Sequence, residues 1–107
     1  GVARAKELLL LGRKLSGADA AAWGLIHRAV PDAELESATE ELVAQLAGAA
    51  TVAVGLTKHC IHRALETGLP EAMQNESFAL ELSSRTADFK EGLLAFKERR
   101  PARFTGQ

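Results

Sequence analysis

The chain has a single cysteine, Cys60, so no internal disulfide is open to it. One lone thiol fits a reducing, cytoplasmic setting better than an oxidising one. Long apolar runs are missing too: the leucines Leu8 to Leu11 fall far short of the roughly 20 residues a bilayer helix needs. Neither charge sign dominates. With a formal net charge of −1, no global field draws nucleic acid or an anionic membrane, and any basic patch must be local. The start of the chain lacks the basic, long-apolar, small-residue layout of a secretion signal. Gly1-Val2, with no initiator Met, reads as the edge of a piece cut from something longer. No Gly-rich phosphate loop, Gly-x-Ser-x-Gly elbow or His-Glu-x-x-His helix is written here, and there are no repeats, low-complexity tracts or linkers.

What is present is ordinary for a soluble globular chain: 107 residues, 47% hydrophobic and 25% charged. That length suits one domain, or part of one, with a modest core. Apolar spacing predicts helices throughout. Residues 2–11 carry Val2, Ala5, Leu8 and Leu9 on one face, with Gly12 as C-cap. Leu8 to Leu11 are apolar on almost every side, so this helix calls for more cover than one face provides. Ser16 is placed to cap a thin, alanine-rich helix, with Asp19 in capping-box position and Trp23-Gly24 at its end. Leu25 to Val30 reads as a brief extended segment before Pro31. Asp32 is expected to cap the next helix, whose half-buried stripe is Leu35, Ala38, Leu42 and Leu46, ending near Gly48. Thr51 to about Glu66 forms another helix facing inward through Val52, Leu56, Cys60, Ile61, Ala64 and Leu65. Gly68 and Leu69-Pro70 open a further helix to about Ser84. Its apolar residues Met73, Phe78, Leu80 and Leu82 lie on more than one face, which suits contact with another subunit or a ligand.

The terminal stretch from Thr86 to Phe104, TADFKEGLLAFKERRPARF, is chemically the most specific. A polar cap leads into an apolar stripe (Phe89, Leu93, Phe96), then into four cations, Lys97, Arg99, Arg100 and Arg103, around the helix-stopping Pro101. Rings beside guanidinium forks suit a ligand with a flat apolar part and phosphates. On the residues alone, a surface helix whose cations favour the negative end of its own dipole carries more weight. Other clusters read structurally. His59 and His62 share a helix face around Cys60 but have no second ligand pair to make a zinc site. His27 reads as a solvated connector residue. Cys60 is an inert packed thiol. Glu34, Glu36, Glu40 and Glu41 supply helix electrostatics. Gly92 beside Glu91 serves a close helix contact, and Glu98 neutralises a neighbouring cation.

That terminal stretch resembles the C-terminal segment of the enoyl-CoA hydratase/isomerase (crotonase) superfamily. So does AKELLLLGRKLSGADAAAWGLIHRAVP, from Ala5 to Pro31, in the same order and spacing. The resemblance implies that residues 1–107 form one all-α C-terminal helical domain, a small irregular bundle capping a ββα spiral core that this chain lacks. The family's catalytic glutamates and the two N–H groups of its oxyanion hole precede the matched region. No catalytic residue maps onto this chain, which alone is expected to be inactive. By motif, Phe96 takes the place of an aromatic near the adenine end of CoA. Arg99 stands where a lysine commonly contacts the CoA phosphates, with Arg100 beside it; the exchange replaces a point charge by a fork. Leu80 stands where some relatives line the site with a ring, and Pro101 replaces an often polar residue.

The resemblance further implies an enzyme of acyl-CoA breakdown that hydrates 2-enoyl-CoA. No cofactor is implied beyond the CoA of the substrate, no metal, and no nucleic-acid or membrane partner. It also implies a homo-oligomer, a trimer or dimer of trimers, with the terminal helix closing its own or a neighbouring subunit's CoA site. Double-bond isomerisation, a stand-alone helical interaction module and a CoA-binding remnant without chemistry are the alternatives.

Overall fold

The computed structural model describes residues 1–107, and every regular element in it is helical. Six α-helices follow one another: α1 Val2–Leu11, α2 Gly17–Ala22, α3 Leu35–Ala47, α4 Thr51–Ala64, α5 Leu69–Ser84 and α6 Ala87–Glu98, with a single 3-10 turn at Asp32–Glu34. The chain divides into two units, Gly1–Glu41 and Leu42–Gln107.

In the first unit, α1 ends where Gly12 turns left-handed at φ 60°. The Gly12 and Arg13 amides both return to the Leu8 carbonyl, and glycine takes this conformation without a Cβ penalty. Ser16 caps α2 by accepting the Asp19 N–H at 3.0 Å. Its hydroxyl also donates to Asp19 Oδ2 at 2.7 Å, so the two side chains grip each other directly. The Arg4 guanidinium lies 5.3 Å from the Trp23 ring centre and donates to the Trp23 carbonyl, a cation–π contact that holds the end of α2.

Two local expectations are corrected here. Leu25 to Val30 forms no strand: the Leu25 and Ile26 amides bond back to the Ala20 carbonyl, which leaves no row of free groups for pairing. Asp32 does not cap α3 through its side chain. The Pro31 carbonyl accepts the Glu34 N–H at 2.8 Å instead, and the chain enters α3 through the 3-10 turn.

In the second unit, α4 and α5 form a helical hairpin joined by the short Leu65–Gly68 connection. Pro70 occupies the first turn of α5, where its missing N–H has no partner to lose. The expected inward faces are shifted. Ala53, Leu56 and Cys60 on α4 are half-buried, whereas Ile61 and Leu65 are exposed. On α5 the covered residues are Ala72, Asn75, Ala79, Ser83 and Ser84, and Met73, Phe78, Leu80 and Leu82 all face out. The seam is built on small residues because they let two helix backbones approach closely. Every buried hydrophobic residue in the chain is an alanine: Ala20, Ala79 and Ala95.

Candidate functional site

The residues singled out for ligand contact lie at the end of α6, and a dense polar clamp fixes that end. Thr86 caps the start of the helix by accepting the Phe89 N–H at 3.0 Å. On the inward side, Asp88 is 2% exposed and Ala95 3%. Asp88 accepts from the Thr105 amide (2.7 Å) through Oδ1 and from the Gly106 amide (2.8 Å) through Oδ2, with the Thr105 hydroxyl at 3.3 Å from Oδ1. The Asp88 N–H donates in turn to the Gln107 carbonyl. The segment after the helix is thus tied back along it. The Phe104 ring lies over Gly92, 3.7 Å from where a Cβ would stand. The close approach expected at Gly92 is therefore to a ring from the tail, not to another helix.

Glu91 is the second anchor. Its carboxylate takes both ends of the Arg100 fork, Nη1 to Oε1 at 2.6 Å and Nη2 to Oε2 at 2.9 Å. It also accepts the Arg103 amide at 2.7 Å. The Arg100 side-chain hydrogen bonds, then the Arg103 N–H, lower the Glu91 pKa from 4.5 to about 2, against a smaller opposing effect of desolvation. Arg100 Nε donates to Glu98 at 2.7 Å, and both carboxylates raise the Arg100 pKa further. All three nitrogens of Arg100 are thereby committed within the chain, and Glu98 neutralises a neighbouring cation as its spacing suggested.

Arg99 adopts φ 54°, ψ 41°, and is the one non-glycine residue with positive φ. The Arg100 amide reaches the Ala95 carbonyl at 3.1 Å and the Arg99 amide the Phe96 carbonyl at 3.3 Å, the paired bonds of a Schellman ending. The helix stops at Glu98, three residues before Pro101, so the turn rather than the proline ring ends it. No ion pair involves Lys97, Arg99 or Arg103. Phe96 is 86% exposed, and Leu93 on the same predicted stripe is also uncovered. Of the expected apolar stripe, Phe89 is half-buried while Leu93 and Phe96 face outward, because Asp88, Gly92 and Ala95 occupy the inner side.

The predicted residues Phe96 and Arg99 sit three apart at one helix end, both exposed, with Arg100 adjacent but engaged by Glu91 and Glu98. Leu80 lies on α5, lining an open groove between α4 and α5 of about 350 Å³ with Leu56, Cys60, Ile61 and Ala79. Sequence reasoning missed Asp88 and under-read Glu91. The available signal was the tail itself: Thr105-Gly106 offers two successive amides that a carboxylate can take together. His59 and His62 are exposed and Cys60 is half-buried.

Set against solved structures, the helices superpose on the enoyl-CoA hydratase of Bacillus anthracis with a TM-score of 0.86 and 36% identity, covering 97% of this chain and 40% of that one. The architecture is thus that of the helical part of crotonase-fold enzymes. The sequence model of the enoyl-CoA hydratase/isomerase family matches residues 1–107, and the chain belongs to that family. Among curated relatives, the 1,2-epoxyphenylacetyl-CoA isomerase of Escherichia coli is 37% identical over 107 residues, all of this chain and 41% of its own length. The mitochondrial enoyl-CoA hydratase domain-containing protein 2 of Bos taurus is 39% identical over 111 residues, 38% of its length. The chain spans about two fifths of the relatives it matches.

Proposed function

We propose that this chain is the C-terminal helical domain of an enoyl-CoA hydratase-like enzyme, closing the CoA site and contributing to a trimer. The enzyme adds water to a 2-enoyl-CoA, and its reacting groups lie outside these 107 residues. The observation that carries the reading is the tip of α6, where an exposed ring, Phe96, and an unpaired guanidinium, Arg99, stand beside a turn tied back by the half-buried Glu91 carboxylate through Arg100 and the Arg103 amide. A ring for the adenine and a fork for phosphate oxygens are the two contacts a CoA nucleotide asks for. Arg100 serves the turn rather than the ligand, since four of its five N–H donors are already taken. The uncovered leucines of α1 and α5 support the assembly role, because a surface of this kind needs cover from other protein.

In the full-length enzyme, Arg99→Glu is expected to raise KM for crotonyl-CoA about tenfold, and more strongly at low salt. An unchanged KM sinks the assignment. Double-bond isomerisation is the second reading, favoured by the family model, whose description covers hydratases and isomerases alike. Following loss of the conjugated double bond against its migration in the same assay separates the two.

A further inference from the structure

The left-handed turn at Arg99 is unusual. Glycine is the usual occupant of this position, and an arginine there bears backbone strain. Strain of this kind persists only where the surroundings over-determine it. Those surroundings are specific: Glu91, about two turns back on α6, holds the Arg100 fork through both oxygens and the Arg103 amide through one of them. Residues on either side of the strained one are fixed as well, Glu98 by its bond to Arg100 Nε and Pro101, two positions on, by its carbonyl accepting from Arg100 Nη1 at 3.1 Å. The Arg99 side chain leaves this knot without an ionic partner, as the Arg103 side chain beside it also does. Glu91 itself is mostly covered, with its side chain 21% exposed, so it does not face a ligand.

We infer that Glu91 is a positioning residue for CoA: by gripping Arg100 and the Arg103 amide it fixes the strained turn that displays Arg99 to the ligand's phosphates. This rests on the reading of Arg99 as a CoA contact. Without the grip, the turn relaxes toward ordinary backbone, and the Arg99 fork no longer arrives preformed, so affinity falls by the ordering it must then undergo on binding. The depressed Glu91 pKa agrees with a carboxylate held by three donors.

The test is a double-mutant cycle in the full-length enzyme, titrating CoA itself by calorimetry. Glu91→Gln is expected to weaken binding about threefold to tenfold in the wild-type background and to have no further effect in an Arg99→Ala background. Equal weakening in both backgrounds, or none in either, overturns the inference, since a merely structural Glu91 would act independently of Arg99. If Arg99→Ala alone leaves CoA affinity unchanged, the underlying contact falls, and the inference with it. Should Glu91→Gln reduce the yield of folded enzyme, Arg100→Lys carries the same expectation. Lys keeps the charge but cannot bridge both carboxylate oxygens.

Discussion

Two side chains at the end of α6 carry opposite kinds of consequence. Glu91 has its pKa lowered from 4.5 to about 2, chiefly by its hydrogen bonds to the Arg100 fork. A depressed carboxylate stabilises the fold above its unfolded pKa, and that contribution is lost as pH falls through the folded one. The Glu91 contribution is therefore full above about pH 5.5 and disappears between about 4.5 and 2. Acid unfolding followed by circular dichroism should show Glu91→Gln flattening stability in that window and lowering it at neutral pH. A parallel curve for the two proteins would mean the pair contributes nothing. At Arg99 the strain and the contact separate. Arg99→Gly removes the Cβ penalty of a left-handed residue, and is expected to stabilise by about 1 kcal/mol while raising KM for acyl-CoA. A rise in Tm with a loss of affinity marks a residue kept for its ligand; a change of the same sign in both speaks against it.

Helix ends were the most legible elements, because capping is a local matter. Gly12, Ser16, Gly24, Pro70 and Thr86 all act where their chemistry puts them. Inner faces were less legible. Phe89, Leu93 and Phe96 have helical spacing, yet the covered side of α6 holds Asp88, Gly92 and Ala95. Apolar periodicity reports which face wants cover, and the cover for Leu93 and Phe96 comes from no segment of this chain. The clamp was hidden for a different reason: Asp88 meets Thr105 and Gly106 across 17 and 18 positions, beyond any local pattern. Asp88→Ala leaves those two amides without their charged acceptor and should cost about 2 kcal/mol. Hydrogen exchange at Thr105 and Gly106 should then rise sharply, and unchanged protection there would show the tail to be held by something else. In the α4–α5 hairpin, Ala79 is the covered residue that lets the backbones approach. Ala79→Leu overpacks the seam and is expected to lower stability by about 1–3 kcal/mol, read from the midpoint of urea unfolding.

At the scale of the whole chain, surface and core are out of proportion. An accessible surface of 8743 Å² accompanies 11.4 kDa, against roughly 5,800 Å² for a compact protein of that mass and roughly 6,900 Å² for two separately compact units. Much of the difference is apolar: Leu9, Leu10, Leu11, Leu65, Met73, Phe78 and Leu82 are all exposed, and no large side chain is fully buried. At about 25 cal/mol per Å² of apolar area, such a surface is a strong drive toward association. The fold supplies polar precision at the α6 tip and leaves its hydrophobic faces open, the division of labour that the proposed docking on other protein requires. The isolated 107-residue chain should therefore associate as its concentration rises in sedimentation experiments, bind a hydrophobic dye such as ANS, and melt broadly. The full-length enzyme should bind far less dye per chain and melt sharply, because the proposed assembly covers those same faces. A dye-free monomer with a steep melting transition would mean that the leucines of α1 and the apolar residues of α5 have no partner to meet, and that the assembly role assigned to them is mistaken.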